Sequence, residues 1–275
     1  MKKFTATQSS TLRDFTDATY PQGSFVFSSL LKKGDIRVNG VKVRANVPVN
    51  AGDEVTYYTT PAQEAKPSHS IVYEDENILI ADKSGGVSCE ALFCELNGKG
   101  AYFPVHRIDR NTCGLVALAK NEGAERELTA AFRERRAEKI YLCFAKNAFR
   151  ESAAKLTAYI SKNAEESTVR VYPTPAEGRV RIVTEYEVLK SYGDYALVKV
   201  VLHTGKTHQI RAHLAYIGCP LLGDEKYGDR ALNKKYRAAR QILVAHDLSF
   251  TLGGALSYLN GRQFTSSYFP ALPEG

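Results

Sequence analysis

The chain has few of the residues that mark several classes of protein. Its 275 residues include no tryptophan, one methionine and five cysteines. The odd number of cysteines and the lack of a C-x-x-C pair argue against a disulfide framework and against a zinc ribbon. His208 and His213 are five positions apart, not the four of a helical zinc motif, so we expect no metal site. A chain of this kind fits a reducing cytoplasm.

Long apolar runs are also missing. No run approaches the roughly 20 residues that a membrane helix needs, so we expect no membrane partner. The N-terminus has two lysines without the apolar segment of a signal peptide. No glycine-rich nucleotide loop is present, which predicts that no small-molecule cofactor is bound. The chain has 37 basic and 30 acidic residues, a net charge of +7, which is compatible with a polyanionic partner.

Residues 1–60 are predicted to form a small module of their own. Asn39-Gly40 lies between two short strand-like segments and predicts a hairpin with a two-residue turn. A second turn at Ala51-Gly52-Asp53 leads into another strand-like segment. Pro21 and Gly23 are expected to interrupt the helical part of this module. Residues 61–70 are polar, with two prolines, and predict a linker.

Residues 71–275 predict a larger domain of the α+β class. Many strand-like segments at hairpin spacing, with few helices between them, favour a mixed, mostly antiparallel sheet with flanking helices. One helix is predicted from an Asn121 cap to Glu138, and a second from a Thr207 cap to Gly218. Between these helices, the alternating segment Lys139–Ala145 predicts a strand with Lys139 and Tyr141 on one face.

The stretch His106–Lys120, HRIDRNTCGLVALAK, is the part of the chain that most strongly suggests chemistry. A polar cluster runs into an apolar segment with the length and composition of a buried strand. Asp109 lies between Arg107 and Arg110, and an aspartate flanked by cations is expected to be ionised at neutral pH. That suits a nucleophile or an electrostatic stabiliser better than a general acid. From composition alone, a solvated loop with an ordinary ion pair is an equally good interpretation.

Three stretches in the same order resemble the RluA-type pseudouridine synthases. The first is HRIDRNTCGLVALAK itself, which is similar to the family signature around the catalytic aspartate. The second is Leu202–Gly228, LHTGKTHQIRAHLAYIGCPLLGDEKYG, and the third is Ile71–Gly86, IVYEDENILIADKSGG. Residues 1–60 resemble the second half of an S-four-type RNA-binding domain. Cys113, Lys206 and Ser84 stand where the family usually has serine, arginine and proline.

The resemblance implies a site and a reaction. Asp109 becomes the catalytic aspartate, Arg211 its partner, and Tyr141 the ring that lies against the target base. Arg107 would take the place that the everted nucleotide leaves in the RNA, while Ile210 would form an apolar floor for the everted base. The remaining implied substrate-binding residues are His106, Lys139, Lys206 and His208. The implied function is the isomerisation of uridine to pseudouridine in ribosomal or transfer RNA, by a monomer without a cofactor.

Two other functions remain open at this stage. The chain could be a catalytically silent RNA-binding or ribosome-assembly protein on the same fold, although Asp109, Tyr141 and Arg211 are all present. It could also be a hydrolase that uses Cys113 or Cys219 with a histidine. Neither cysteine lies in a nucleophile-elbow or papain-like context, which disfavours the hydrolase.

Overall fold

The computed structural model describes residues 1–98, 100–163 and 168–273. Its N-terminal part is a four-stranded antiparallel sheet with the strand order β1-β6-β3-β4. These strands are β1 (Lys2–Thr5), β3 (Ile36–Val38), β4 (Val41–Val43) and β6 (Glu54–Tyr57). A short pair, β2 (Ser10–Thr11) and β5 (Pro48–Val49), lies beside it. The predicted hairpin is confirmed, because Asn39 and Gly40 join β3 to β4 with φ values of 49° and 79°.

Pro21 begins a second helix directly after the first one ends. Helix α1 (Leu12–Thr19) ends at Tyr20, which is extended, and α2 (Pro21–Lys33) starts directly after it. At the first position of a helix the missing N–H of proline costs nothing, and its fixed φ is already helical. The helical part is therefore divided just before Pro21, as expected, whereas Gly23 lies inside α2 and does not interrupt it. Both helices pack with the small sheet around a buried cluster that includes Leu12, Leu30 and Tyr57.

The segment predicted as a linker contains a helical turn. Helix α3 (Pro61–Glu64) is capped by Thr60, whose side chain accepts from the Gln63 N–H while the Gln63 side chain accepts from the Thr60 N–H. Strand β7 (His69–Glu74) already begins within the range expected to be linker.

The rest of the chain is built on an eleven-stranded sheet. Its strand order is β13-β12-β14-β15-β11-β16-β10-β8-β7, with β17 paired to β16 and β9 to β10. The further strands are β8 (Ile78–Lys83), β9 (Phe103–Pro104), β10 (Cys113–Ala119), β11 (Ala137–Lys146), β12 (Ala153–Asn163), β13 (Thr168–Tyr172), β14 (Val180–Ser191), β15 (Tyr195–Leu202), β16 (Leu243–Phe250) and β17 (Gln263–Thr265). Only β10 and β16 pair in parallel among the described strands. The predicted mixed, mostly antiparallel α+β fold is confirmed.

Helices cover both faces of the centre of this sheet. The further helices are α4 (Cys89–Asn97), α5 (Glu122–Arg133), α6 (Gln209–Tyr216), α7 (Arg230–Lys235) and a 3-10 helix (Gly254–Leu259). Helices α4 and α6 pack on one face, in a cluster with Leu79 and Val116; we call it cluster A. Helix α5 and the 3-10 helix pack on the other, in a cluster with Ile80 and Leu115 that we call cluster B. No helix of the described residues is long and apolar enough to cross a membrane.

The two predicted helices of this part have different ends from those expected. Asn121 does cap α5, accepting from the Ala124 N–H at 2.9 Å, but the helix stops at Arg133 because β11 begins at Ala137. The predicted Thr207 cap was wrong. Helix α6 begins at Gln209, after His208 in the left-handed conformation with φ of 53°. Gly218, with φ of 84°, follows the last turn as predicted.

Candidate active site

Asp109 and Arg211 meet at the centre of the candidate site. Asp109 lies in the loop before β10 and Arg211 in α6, and Nη1 of the arginine is 2.9 Å from Oδ2 of the aspartate. The Arg211 side chain is 8% exposed and the Asp109 side chain 27%. Arg211 is therefore fixed in the protein, while Asp109 remains partly open to solvent. The predicted contact is present and is a charge-assisted hydrogen bond.

Asp224 holds the other side of Arg211, and it had no role in the sequence-based prediction. Its two oxygens lie 2.7 Å from Nε and 3.0 Å from Nη2 of the guanidinium. The backbone N–H groups of Lys226 and Tyr227 also donate to Asp224. The only signal in the sequence was its place in the GDEKYG segment of the second matching stretch. Because a bidentate pair fixes the plane of a guanidinium, Asp224 determines where the remaining nitrogen of Arg211 points.

Both buried partners stay charged. Burial raises the pKa of Asp224, but the hydrogen bonds and charge of Arg211 outweigh it and hold that pKa below its usual value. Burial likewise opposes the charge of Arg211, and Asp224 and Asp109 together raise the pKa of the guanidinium above its usual value. The site is thus a buried guanidinium between two carboxylates, of which only Asp109 is partly open.

Tyr227 and His208 form one wall of the site. The Tyr227 ring lies 5.3 Å from Cζ of Arg211, and its hydroxyl accepts from the Val169 N–H at 2.8 Å. The same hydroxyl is 3.0 Å from Nδ1 of His208, whose Nε2 lies 4.0 Å from Oδ2 of Asp109. Burial lowers the pKa of His208, with the Asp109 charge opposing it. A neutral imidazole therefore stands beside the carboxylate, so His208 does reach the site.

Tyr141 and Ile210 belong to the apolar side of the site. Both are in cluster A together with Ile108, the residue before Asp109, and with Leu202. Burial, and then the negative charge of Asp109, raise the pKa of the Tyr141 phenol. The phenol is therefore protonated at neutral pH and offers a ring and a neutral hydroxyl. The predicted residues Asp109, Tyr141 and Arg211 thus come together from three separate elements.

The two arginines that flank Asp109 in sequence pair with other carboxylates. Nη1 of Arg107 lies 2.6 Å from Oε1 of Glu90 in α4, with most of the arginine side chain exposed. Arg110 pairs with Asp17 in α1. The expectation that these neighbours balance the charge of Asp109 was therefore wrong. In a loop, adjacent side chains point in different directions, and the balancing cation comes from α6 instead.

His106 and Lys139 lie with a different group. The His106 ring stacks on Phe132 at 4.1 Å and its Nε2 accepts from the Ala117 N–H; burial lowers its pKa to about 3. Lys139 Nζ lies 5.8 Å from the same Phe132 ring. Phe132 packs on cluster B, whereas Tyr141 belongs to cluster A. The prediction that Lys139 and Tyr141 share a face was wrong.

A break in strand register accounts for this separation. Ile140 pairs with Asp247 and Tyr141 pairs with Ala245, so β16 contains one more residue than β11 at this point. Such a bulge re-aims side chains on the strands that carry it. Lys206 also lies apart from the buried group, since it is exposed on the turn before α6 and its N–H donates to the Gln209 side chain.

The cysteines do not have the surroundings of nucleophiles. Burial raises the pKa of the Cys113 thiol to about 11, and it also raises the pKa of Cys219. A catalytic cysteine needs the opposite shift, toward the thiolate. The two thiols therefore do not support the hydrolase alternative, which requires a reactive cysteine.

Comparison with known proteins identifies the family. Residues 77–216 match the family model described as RNA pseudouridylate synthase. The chain belongs to this family. It is 33% identical over 258 residues to the "Ribosomal large subunit pseudouridine synthase C" of Vibrio cholerae, covering 80% of this chain and 78% of that protein. It is 31% identical to the protein of the same name from Escherichia coli K12, covering 82% and 79%.

Solved structures agree on the fold. "Human RNA Pseudouridylate Synthase Domain Containing 4" superposes with a TM-score of 0.60 at 22% identity, over 74% of this chain and 88% of that chain. The family prediction made from the three matching stretches is confirmed. With it, the chain is an RNA pseudouridine synthase, an isomerase.

Proposed function

We propose that Asp109 is the catalytic carboxylate of this isomerase and that Arg211 is the cation that orients it. The observation that carries the proposal is the 2.9 Å contact between a half-open carboxylate and a buried guanidinium. Tyr141, Ile210 and His208 line the space around that carboxylate. A nucleotide that enters this space would meet one charged oxygen pair and otherwise neutral surfaces.

The reaction requires few other chemical groups from the protein. Conversion of uridine to pseudouridine breaks the bond from ribose to the base nitrogen, turns the base, and re-forms the bond to carbon five. The carbon-five hydrogen is lost to solvent, and no group is imported and nothing is oxidised. A carboxylate in a water-poor site can attack the sugar or stabilise positive charge that develops on it. The protonated Tyr141 ring would lie against the base while it turns.

The substrate that the relatives favour is ribosomal RNA of the large subunit. The names of the relatives from Vibrio cholerae and Escherichia coli state this substrate. The target uridine must leave its stack, at a cost of a few kcal/mol. Arg107, exposed beside the site, is the side chain proposed to fill the vacated space. Lys206, exposed on the turn before α6, is proposed to contact the RNA backbone.

The N-terminal module, residues 1–60, is proposed to add RNA affinity. Exposed cations Lys32, Lys33 and Arg44 lie at the end of α2 and after β4. We propose a monomer that acts in the cytoplasm. All five cysteines are free thiols, which supports a reducing compartment.

The decisive experiment replaces Asp109 by asparagine, which keeps the shape and removes the charge. Tritium release from RNA labelled at carbon five of uridine should fall on the order of 10³-fold or more, while RNA binding stays close to wild type. Glu225→Gln, an exposed change of the same chemistry, should leave the rate unchanged. Wild-type protein that binds RNA but releases no tritium would instead establish the silent RNA-binding alternative.

A further inference from the structure

His208 has a backbone conformation that residues with a side chain rarely adopt. Its φ is 53° and its ψ is 19°, in the left-handed region directly before helix α6. The position is that of an N-cap, but the imidazole makes no capping hydrogen bond to the helix. The side chain instead lies against Tyr227 and Asp109. An unfavourable backbone conformation beside a reacting group indicates that the placement of this side chain has a function.

Tyr227 determines which nitrogen of the imidazole carries the hydrogen. Its hydroxyl oxygen accepts from the Val169 N–H at 2.8 Å, which leaves the O–H hydrogen for another acceptor. Burial raises the pKa of this phenol, so the hydrogen is present at neutral pH. Among the described residues, the acceptor within its reach is Nδ1 of His208, at 3.0 Å. Because Nδ1 can accept only when it has no hydrogen of its own, the hydrogen of the neutral ring lies on Nε2.

The opposite tautomer is disfavoured by the charge of Asp109. With the hydrogen on Nδ1, Nε2 of His208 would turn a lone pair toward the carboxylate, whose Oδ2 lies 4.0 Å away. The Tyr227 O–H would also have no acceptor among the residues that the structure describes. With the hydrogen on Nε2, both contacts are favourable, since Tyr227 donates to the ring and the ring presents an N–H to the carboxylate.

The imidazole is also held in its neutral form. Burial lowers its pKa, and the cations Arg211 and Lys226 act in the same direction. The carboxylates of Asp109 and Asp224 oppose this shift, but the pKa stays below its usual value. The hydrogen bond that Tyr227 donates to Nδ1 likewise favours the neutral ring. A neutral donor can stabilise the reacting carboxylate without adding a second full positive charge beside the guanidinium.

The arginine and the imidazole face the same oxygen of Asp109. Nη1 of Arg211 lies 2.9 Å from Oδ2, and Nε2 of His208 lies 4.0 Å from that atom. Oδ1 accepts no hydrogen bond from any residue that the structure describes. The second distance is longer than a hydrogen bond, and such contacts to a reacting group commonly shorten when the substrate binds. The carboxylate is thus held through one oxygen while its other oxygen stays open.

We propose that His208 is a positioning residue that directs its Nε2–H to Oδ2 of Asp109, and that Tyr227 sets the tautomer which makes this possible. The inference rests on the proposed function of Asp109 and adds two residues to it. His208 is not the base that removes the carbon-five hydrogen, because Nε2 already carries a hydrogen and Nδ1 is bound to Tyr227. It acts by limiting rotation of the carboxylate, so its loss should lower kcat and leave KM nearly unchanged.

Two variants test the role of the imidazole in kinetics. His208→Leu removes the N–H, and kcat for tritium release should fall about 10- to 100-fold with KM within about twofold of wild type. His208→Gln places an amide N–H near the position of Nε2, and kcat should return to within about threefold of wild type. Leucine and glutamine are both disfavoured in the left-handed conformation, so the difference between the variants reports the N–H. Equal losses in the two variants, or a kcat near wild type in His208→Leu, would overturn the proposal.

Tyr227→Phe tests the tautomer, because it removes the hydroxyl and keeps the ring against Arg211. The kcat should fall roughly fivefold, as expected for residues that act through one contact. The acid limb of the pH profile of kcat should move to higher pH, since the ring loses a hydrogen bond that favours its neutral form. In the His208→Gln background the same change should have no further effect. An equal loss in both backgrounds would show that Tyr227 acts independently of His208, contrary to the proposal.

Nitrogen NMR of protein that contains isotopically labelled histidine observes the tautomer whether or not the protein modifies RNA. The His208 ring, identified by the signal that His208→Gln removes, should carry its hydrogen on Nε2 at neutral pH, and Tyr227→Phe should give a mixture of tautomers. Tyr216→Phe, at an exposed tyrosine of α6, is the matched control and should change neither the tautomer nor kcat. A hydrogen on Nδ1 in the wild type would contradict the proposal. The expected tautomer in a protein that releases no tritium would instead refute the proposed function and leave the contact of His208 with Tyr227 in place.

Discussion

Asp224 binds Arg211 at two nitrogens, at 2.7 and 3.0 Å, and leaves the third nitrogen of the guanidinium for Asp109. The Asp224 side chain is fully buried and is itself held by two backbone N–H groups. The orientation of Arg211, the partner of the proposed catalytic carboxylate, is therefore fixed by a residue that is buried away from any substrate. Asp224 is a positioning residue in this arrangement.

Replacing Asp224 by asparagine should reduce turnover without removing RNA binding. The amide can accept only one of the two arginine hydrogen bonds, so Arg211 loses its fixed plane and part of its charge balance. We expect kcat to fall about 10- to 100-fold, with KM changed less, on the scale of other residues that orient a reacting group. The Asp224→Ala change should also destabilise the protein by about 3 to 5 kcal/mol, because it leaves a buried guanidinium half unpaired. Urea unfolding and tritium release measure the two effects, and Glu225→Gln should show neither.

The contact between Asp17 and Arg110 predicts that the N-terminal module affects catalysis directly. Asp17 lies in α1, and its carboxylate also binds Arg13 at 2.8 Å. Because Arg110 follows Asp109, loosening this contact should loosen the loop that carries the carboxylate. We expect Asp17→Asn and Arg110→Gln each to lower kcat severalfold, and the double variant to be no worse than either, since contacting residues are not additive. Arg13→Gln is the control, because it removes another partner of Asp17 that does not touch the loop. If the losses of kcat in the two single variants added fully in the double variant, the coupling would be contradicted.

Replacing the buried Lys83 is predicted to have a large effect on the stability of the protein. The ammonium of this buried lysine lies 2.7 to 3.2 Å from four carbonyl oxygens, those of Ser84, Val87, Arg110 and Thr112, which share its three N–H donors. Burial lowers its pKa to about 8, which leaves it protonated at neutral pH. Lys83→Met keeps the length and removes every donor, so the free energy of unfolding should fall by about 3 kcal/mol.

Urea unfolding checks the Lys83 prediction. Lys3→Met, which removes an exposed ion pair with Glu54, should cost less than about 1 kcal/mol. Equal losses for the two variants would show that the four carbonyl groups find other donors.

Because His213 is buried, we expect the protein to lose stability in mild acid. The side chain is buried against the Thr184 hydroxyl, and burial lowers its pKa from 6.5 to about 4. As the pH falls below 6.5 the unfolded chain binds a proton there while the folded protein does not, so this contribution is complete above about pH 6.5 and is lost toward pH 4. Between pH 7 and pH 5 it should remove roughly 2 kcal/mol from the free energy of unfolding. The variant His213→Gln should show a drop smaller by that amount in urea unfolding at the two pH values, and an identical drop would refute the assignment.

Local patterns in the sequence predicted what depends on local forces. The apolar run from Leu115 to Ala119 is a buried strand, and the Asn39-Gly40 turn is a hairpin, because periodicity and turn chemistry act over a few residues. The pairing of Asp109 with Arg211 was predicted as well, but only through resemblance to a family. No local sequence pattern connects these two residues, because they are far apart in the chain.

What the sequence did not reveal depends on distant neighbours. The side chains of Lys139 and Tyr141 lie in different clusters because β16 contains one more residue than β11 at this point. No pattern within β11 indicates that additional residue. Helix α6 starts after Thr207 because the Gln209 amide bonds the Val183 carbonyl and the Thr184 hydroxyl of β14. Asp224 was missed for the same reason, since its importance comes entirely from the guanidinium that it holds.

The ion pair between Arg107 and Glu90 has a consequence for how the enzyme would meet its substrate. Both side chains are largely exposed, so separating them costs no more than about 1 kcal/mol. Arg211 cannot leave its carboxylates so cheaply, because it is buried between them. Of these two arginines, Arg211 is therefore held in place, whereas Arg107 can separate from its partner at little cost. If Arg107 has the role proposed for it, its side chain would leave Glu90 when a nucleotide is everted and pair with it again when the product departs.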